Sequence, residues 1–269
     1  MTIAFQMTRY FLGILIGLAL LLSGCATSST PSADITPDPG ILRVGISADA
    51  PPLIFKQNNE VTGLEADMAM ELAKYLGKFV VFVELQWEDQ IPALLDNRTD
   101  IIMSGMSVTL ARQYKIAFSK PYFKSGLMML VKDLQKFTFI TNVETAFAQS
   151  ITWRIGVVAG TTGESFTRQK RIGAKTINAF RNQEAALKAL IAGRIDVFIH
   201  DAPMVFMMAA VHQSEGVKPL PVMFNEEFLA WGLRKEDTDL VAAVNTFIEQ
   251  SKQKGTMQTA IKRWIPMAK

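Results

Sequence analysis

The sequence predicts an α/β protein made of two similar lobes, each built on a parallel-rich sheet covered by helices. Three observations lead there. Between Ile41 and Ile102 short β-rich apolar runs alternate with amphipathic helical patterns, the rhythm of a parallel sheet whose crossovers are helices. The same rhythm resumes at Arg154. Two segments also resemble each other closely, Ala93-Leu94-Leu95-Asp96-Asn97-Arg98-Thr99-Asp100-Ile101-Ile102 and Ala189-Leu190-Ile191-Ala192-Gly193-Arg194-Ile195-Asp196-Val197-Phe198. Each reads as a helix end, a tight turn carrying Arg, and a strand that opens on Asp. Polar residues follow both strands, at the carboxyl ends where open α/β sheets bind ligands.

Taken in order, the chain begins with Arg9 and an apolar run from Tyr10 to Leu22 that ends in Leu22-Ser23-Gly24-Cys25. A charged start, a short apolar core and small residues before a cleavage point describe an export signal over residues 1–24. The run is short for a spanning helix, which needs about 20 apolar residues. Its ending is similar to a bacterial lipobox, which implies lipidation of Cys25, the single cysteine of the chain. Residues 25–40, rich in Ser, Thr, Pro and Asp, have nothing to bury and read as a flexible tether. Ile41 to Ile46 is a strand that closes on a turn stiffened by Pro51 and Pro52. From Gly63 to Gly77 the pattern is helical, with Leu64, Met68, Leu72, Tyr75 and Leu76 on one face and Gly77 at a C-cap position. Phe79 to Leu85 reads as a strand. Trp87 ends it, and a short helix through Leu94 and Leu95 follows.

The organising stretch is Asp100 to Arg112. Ile101 to Met103 is a buried strand that stops at small polar residues, and Thr109 suits the N-cap of a short helix whose first turn contains Arg112. A cation there lies at the positive end of the helix dipole and needs an anion, either a ligand carboxylate or a surface acid. In the second half Arg154 to Val158 is a strand, followed by Gly160-Thr161-Thr162-Gly163 and a helix from Glu164, a turn of the kind that holds anions by main-chain N–H groups. Ile195 to Ile199 is a strand ending at His200 and Asp201, with Pro203 in the first turn of the next helix. Asp201 reads as a ligand-binding acid, as that helix's N-cap, or as both together. Met204, Met207 and Met208 read as core filler. Asp239 to Trp264 reads as two helices broken at Gly255. A formal net charge of +3 over 269 residues, with no basic tract, argues against nucleic acid.

Assembled in order, several segments resemble one family, the solute-binding proteins of bacterial ABC importers for polar amino acids. They are Leu42-Arg43-Val44-Gly45, Thr62-Gly63-Leu64-Glu65-Ala66-Asp67-Met68-Ala69, Ile91-Pro92-Ala93-Leu94, Ser104-Gly105-Met106-Ser107-Val108-Thr109, Phe118-Ser119-Lys120-Pro121-Tyr122, Gly160-Thr161-Thr162-Gly163 and His200-Asp201-Ala202-Pro203. The resemblance spans nearly all of Ile41 to Pro266. It implies a two-lobed periplasmic binding protein of the type II, Venus-flytrap form, with crossing hinge strands near Tyr122 to Gly126 and Glu227 to Trp231. Lobe 1 is then discontinuous, residues 41–122 and 231–269, and lobe 2 is residues 123–230. Carried onto this chain, Arg112 grips a ligand α-carboxylate with main-chain N–H groups of Ser107 and Thr162. Asp201 binds the α-ammonium with the Ser107 hydroxyl and the Gly105 carbonyl. Ser104, Thr161, Trp87, Ser47 and His200 complete the expected ligand-binding set.

The same resemblance implies a free amino acid as ligand, an ABC permease in the inner membrane as partner, a monomer, and a location in the periplasm or at the cell surface, anchored by lipid on Cys25. No cofactor, metal or catalytic residue is expected, since His200 and His212 pair with no Cys or Ser nucleophile and no His/Cys/Glu cluster has metal-ligand spacing. Departures bear on specificity. Ala50 and Leu53 replace the aromatics usual around the Pro-containing turn. Ser47 stands where binders of basic amino acids often carry an acid, although Glu88 or Asp49 could substitute. His200 beside Asp201 is similar to the glutamine-binding members. A neutral or polar amino acid is therefore expected. The rival readings are a sensor without transport and a dehydratase-type enzyme on the same fold, for which Glu164 is the acid to check.

Overall fold

The computed structural model describes residues 39–132, 134–170 and 174–267. The export signal, Cys25 and the tether, apart from Pro39 and Gly40, lie outside the described residues. No described helix is long and apolar enough to cross a membrane.

The first half contains strands β1 (Ile41–Ile46), β2 (Asp49–Ala50), β3 (Ile54–Gln57) and β4 (Glu60–Thr62), helix α1 (Leu64–Tyr75), β5 (Phe79–Glu84), α2 (Gln90–Leu95) and β6 (Ile101–Ile102). It continues through α3 (Leu110–Lys115), β7 (Ala117–Phe118), β8 (Phe123–Ser125) and β9 (Leu127–Val131). The second half runs α4 (Val143–Gln149), β10 (Arg154–Val158), α5 (Thr162–Gln169), β11 (Thr176–Phe180), α6 (Gln183–Ile191), β12 (Val197–Asp201) and α7 (Ala202–Val211). Last come β13 (Lys218–Leu220), β14 (Glu227–Leu229), β15 (Gly232–Leu233), α8 (Thr238–Gln253) and α9 (Thr256–Trp264).

Two five-stranded sheets carry the fold, in the orders β5-β1-β6-β15-β7 and β11-β10-β12-β9-β13. In each, three strands joined by helices are parallel, and the other two run antiparallel to their neighbours. Strands buried on both faces need continuous apolar runs, and β9 and β12 are buried along their whole length. Antiparallel β8 and β14 form a separate ribbon where the chain passes from one sheet to the other and back. The internal similarity has a structural cause. Asp100 accepts from the Arg43 backbone N–H and from its Nε and Nη2, and Asp196 accepts from the same three groups of Arg154. Each Asp therefore locks the start of its strand to the neighbouring strand, at the sheet end opposite the polar turns.

Two boundaries differ from expectation. The strand expected at Ile195 to Ile199 lies at Val197–Asp201. Asp196 is taken up by Arg154, while His200 and Asp201, polar as they are, pair with Met128 and Leu127 because ladder bonds come from the backbone. The helix expected from Glu164 starts at Thr162. Thr109 is the N-cap of α3 as expected, its hydroxyl accepting from Arg112 N–H at 3.2 Å. Met204 and Met208 are buried core residues and Met207 is half-buried.

Under the cleft, Glu65 is fully enclosed on α1. It accepts from Gly105 N–H at 2.7 Å, Tyr122 Oη at 2.5 Å and Trp231 Nε1 at 2.7 Å. Tyr122 stacks on Trp231 at 5.5 Å. One carboxylate thus ties a cleft turn to the residues that precede β8 and follow β14. Burial raises the Glu65 pKa, opposed by these three donors.

Asp100 and Asp196 both titrate below the usual carboxylate range. For Asp100 burial opposes ionisation, but the Arg43 bonds and the fields of Arg43 and Arg234 outweigh it; for Asp196 the Arg154 bond leads. A depressed folded pKa stabilises above the unfolded value of about 3.9, and that stability is lost as pH falls through the folded value. The Asp100 pair is 11% and 13% exposed and the Asp196 pair 37% and 34%. Asp100→Asn is therefore expected to cost about 3 kcal/mol at pH 7 and Asp196→Asn about 1 kcal/mol, read by urea unfolding. The Asp100 variant should also lose less stability on acidification than the parent.

Candidate functional site

The turns that end β1, β6, β10 and β12 converge on one cleft of about 260 Å³. Ser47 follows β1, Ser104 to Ser107 follow β6, Thr161 and Thr162 follow β10, and His200 and Asp201 end β12; all these except Met106 line the cleft. Trp87 and Arg112 line it too. The expected ligand-binding residues, contributed by both sheets, are thus brought to a single cavity.

Arg112 reaches inward from α3. Its Nη1 donates to Ser107 O at 2.8 Å, its Nη2 to Gly160 O at 3.2 Å, and its guanidinium lies 5.2 Å from the Trp87 ring centroid. Among the described residues it forms no ion pair, which rules out the surface-acid reading. Burial lowers its pKa, offset by the fields of Asp201 and Glu227, and an arginine so shifted stays charged.

Asp201 is 6% exposed. It occupies the N-cap position of α7, yet its side chain makes no capping bond, so the cap reading fails. Its Oδ1 is buried with no hydrogen-bond partner among the described residues. Its Oδ2 lies 3.0 Å from His200 Nδ1, which is also 2.7 Å from the Asp201 backbone nitrogen, so the ring tautomer decides which of the two it meets. Oδ1 is thus left without a donor among the described residues, in a place where an unmet buried charge is costly and a cation would meet it.

Ser107 is positioned by β-pairing. It bridges Leu229, and the bonds that flank it run from Val108 N–H to Phe228 O at 2.8 Å and from Ala230 N–H to Met106 O at 3.1 Å. Ser107 is therefore at a non-hydrogen-bonded position, with its own N–H and C=O directed away from Leu229. The carbonyl is held by Arg112, and the N–H remains for a ligand. Its hydroxyl donates to Glu227 Oε2 at 2.5 Å, which leaves the oxygen lone pairs free to accept. Thr162 Oγ1 donates to the same Oε2 at 2.9 Å, and the Thr162 N–H, at the first position of α5, has no intrahelical acceptor.

Other expected residues set the walls. Ser104 Oγ accepts from Ser47 N–H at 2.8 Å, while Ser47 Oγ donates to Leu85 O. Gly105 has φ +68°, which a side chain would resist, and Thr161 Oγ1 donates to Val158 O. His200 is buried edge-on against Phe198. Trp87 packs against the small cluster of Leu94, Ile102, Met106 and Ile116, and its Nε1 donates to Gly160 O at 3.0 Å. Core and cleft wall are thus both true of it. Glu164 accepts from Gly160 N–H and pairs with Arg168, so it serves the turn.

Sequence reasoning missed Glu227. It is 8% exposed, and besides Ser107 and Thr162 it accepts from Asn225 Nδ2 at 2.8 Å. The adjacent acids Glu226 and Glu227 at the start of a crossing strand were the available signal. It also missed the contacts that join the two walls at the cleft mouth, Arg181 Nε to Gln86 Oε1 at 2.9 Å and Gln183 Nε2 to Asp49 O.

A two-lobed fold with a polar cleft between the carboxyl ends of its sheets defines a ligand-binding protein. The chain belongs to the bacterial extracellular solute-binding proteins, family 3, whose model it matches over residues 42–267. It is 27% identical over 227 residues to the L-cystine-binding protein TcyJ of Escherichia coli strain K12, covering 84% of this chain and 83% of that one. It is 29% identical over 266 residues to the histidine-binding periplasmic protein of Salmonella typhimurium, covering 92% and 96%. Among solved structures it is similar to the ancestral amino acid-binding protein AncCDT-1, a precursor of cyclohexadienyl dehydratase, at 35% identity and TM-score 0.75, covering 84% of this chain and 95% of that one.

Removing the Glu227 carboxylate strands the donors of Ser107, Thr162 and Asn225. Glu227→Ala is expected to lower stability by about 2–3 kcal/mol in urea unfolding, and Glu227→Gln by less.

Proposed function

We propose that this protein is the substrate-binding component of an amino-acid ABC importer, capturing a free polar or neutral L-amino acid between two closing lobes and delivering it to a membrane permease. The observation that carries the reading is that, among the described residues, an arginine without an acidic partner and a buried carboxylate whose Oδ1 has no donor, Arg112 and Asp201, line one cleft. In this proposal Arg112, with the N–H groups of Ser107 and Thr162, takes the α-carboxylate. Asp201 takes the α-ammonium, with the Ser107 hydroxyl, turned into an acceptor by Glu227, and the Gly105 carbonyl. Lobe 1 comprises residues 41–122 and 231–269 and lobe 2 residues 123–230, so each ligand charge is met from a different lobe and occupancy favours closure.

The magnitudes are sufficient. Charge-assisted hydrogen bonds contribute about 1.5–3 kcal/mol each, and a micromolar ligand needs about 8 kcal/mol. Support for an amino acid also comes from the relatives, named for cystine and histidine, and from a similar ancestral protein solved with glutamine, at 30% identity and TM-score 0.77, covering 84% of this chain and 98% of that one. Export by the leader and anchoring through lipid on Cys25 place the protein in the periplasm or at the cell surface in this proposal, working as a monomer. A dehydratase-type reading needs an acid at the reacting centre, and Glu164, its candidate in the sequence, is spent on the Gly160 turn and Arg168.

Arg112→Ala and Asp201→Ala are each expected to weaken amino-acid binding about a hundredfold or more while the circular dichroism spectrum and unfolding transition persist. Calorimetry against an amino-acid panel checks this; undiminished affinity in either variant removes the proposed site.

A further inference from the structure

Four strands form the edges of the two large sheets, and three of them offer little to a partner. β7 is two residues long, β13 carries Lys218 and Pro219, and β11 exposes only Thr176 and Ala179. Short length, lysine and proline are among the devices that keep an edge from pairing with another chain. The fourth edge, β5, has none of them. Its six residues, Phe-Val-Val-Phe-Val-Glu, contain no Pro, Gly or Lys, and Phe79 and Val81 are 80% and 43% exposed.

The ladder to β1 fixes where the open backbone groups point. Phe79 N–H donates to Gly40 O at 2.8 Å and Leu85 N–H to Ile46 O at 2.9 Å, so the odd-numbered residues turn their main-chain groups toward β1. Val80, Phe82 and Glu84 turn theirs outward, where no strand of the described residues pairs with them. The side chains alternate as well. Val80 and Phe82 pack against the main core, while Phe79 and Val81 stand on the other face. Just before the strand, Lys78 donates its Nζ to Pro39 O and forms no ion pair among the described residues. At its end, Glu84 meets Lys56 through Oε1 and is still 48% exposed.

We infer that β5 is a self-association edge whose occupant is β5 of a second copy of this chain, run antiparallel about a twofold axis at Val81. What commits the edge to itself is that its charges and apolar residues match when the stretch is read in both directions. With Val81 opposite Val81, Val80 faces Phe82, Phe79 faces Val83 and Lys78 faces Glu84, each of these twice. The outward groups of Val80 and Phe82 then exchange ladder bonds, every apolar residue meets an apolar one, and unlike charges close both ends. A twofold at Phe82 sets Glu84 against Val80 and Lys78 against Gln86 and leaves both charges unmet. The five-stranded sheets of the two copies thereby run into one. A single strand pair buries less than the about 1,200 Å² of a stable complex, so the dimer is weak, with a dissociation constant of about 0.1–1 mM. The pairing goes beyond the proposed function, in which each copy holds Arg112 and Asp201 in its own cleft and binds ligand as a single chain.

The chain from Ala26 to Lys269 contains every described element and the whole family match, and it lacks the apolar leader and the single cysteine, so it suits the test. Sedimentation equilibrium from about 10 µM to about 1 mM should show its weight-average mass rising toward that of a dimer, and rising less in high salt, which screens the Lys78 to Glu84 pairs. Val81→Lys sets two like charges on the axis and should leave the chain monomeric throughout, with its circular dichroism spectrum unchanged because the side chain is exposed. Val81→Cys should form a disulfide-linked dimer on mild oxidation, because non-hydrogen-bonded partners lie about 4.5 Å apart at Cα, within the reach of a disulfide. Met70→Cys, at an exposed position of α1, reads random collision, and Val81→Cys should cross-link about tenfold faster or more. A parent chain that is monomeric at about 1 mM, association that survives Val81→Lys, or cross-linking of Val81→Cys no faster than that of Met70→Cys overturns the inference and leaves the amino-acid reading standing.

Discussion

A buried carboxylate oxygen with no donor among the described residues, Asp201 Oδ1, is the constraint around which the cleft is arranged. Asp201 ends a strand that is buried along its whole length, and its other oxygen lies 3.0 Å from His200 Nδ1. Ordinarily such a group would be paired or rebuilt as an apolar residue, because desolvating a charge costs more than a hydrogen bond returns. Here the rest of the site compensates at a distance. Arg112 supplies the opposite charge, its donors directed at carbonyls of Ser107 and Gly160 instead of at an acid, and Glu227 holds two hydroxyls so that they accept. The site is polarised and left incomplete, which is the condition for a zwitterion to be bound by both ends.

The same arrangement couples the site to the β8–β14 ribbon. Glu227 opens β14, and its Oε2 receives one donor from the turn after β6 and one from the start of α5. Beneath it, Glu65 links the Gly105 turn to Tyr122 and Trp231, the residues flanking the ribbon. Two carboxylates, neither in the expected ligand set, thus connect the cleft turns to the two strands that cross between the sheets. A ribbon built this way has few soft positions, since each buried acid must keep its donors for the structure to remain stable.

How much was legible beforehand follows from what sort of information each feature needs. Helix α1, with acids in its first turns and a periodic apolar face, and the buried strands β1 and β12 follow from local pattern. The repeat of Ala93–Ile102 in Ala189–Phe198 was visible as text, but its meaning, matched Arg–Asp locks at the far end of each sheet, required knowing that Arg43 and Arg154 sit beside those acids, more than 40 residues earlier in the chain. The end of β12 was misjudged because apolar character was taken as the mark of a strand, while ladder bonds extend through His200 and Asp201 regardless.

By itself the sequence determined the alternation of elements, the polar turns at the carboxyl ends of strands, and the residue types suited to a zwitterion, because these depend on neighbours a few positions apart. Only the tertiary structure decided which of those turns share a cavity, that Asp201 is no helix cap, and that Glu227 and Gln183 belong to the site. Those facts depend on hydrogen bonds between residues about 60 to 130 positions apart, such as Ser107 with Glu227 and Gln183 with Asp49, and on burial, which no local window of sequence contains.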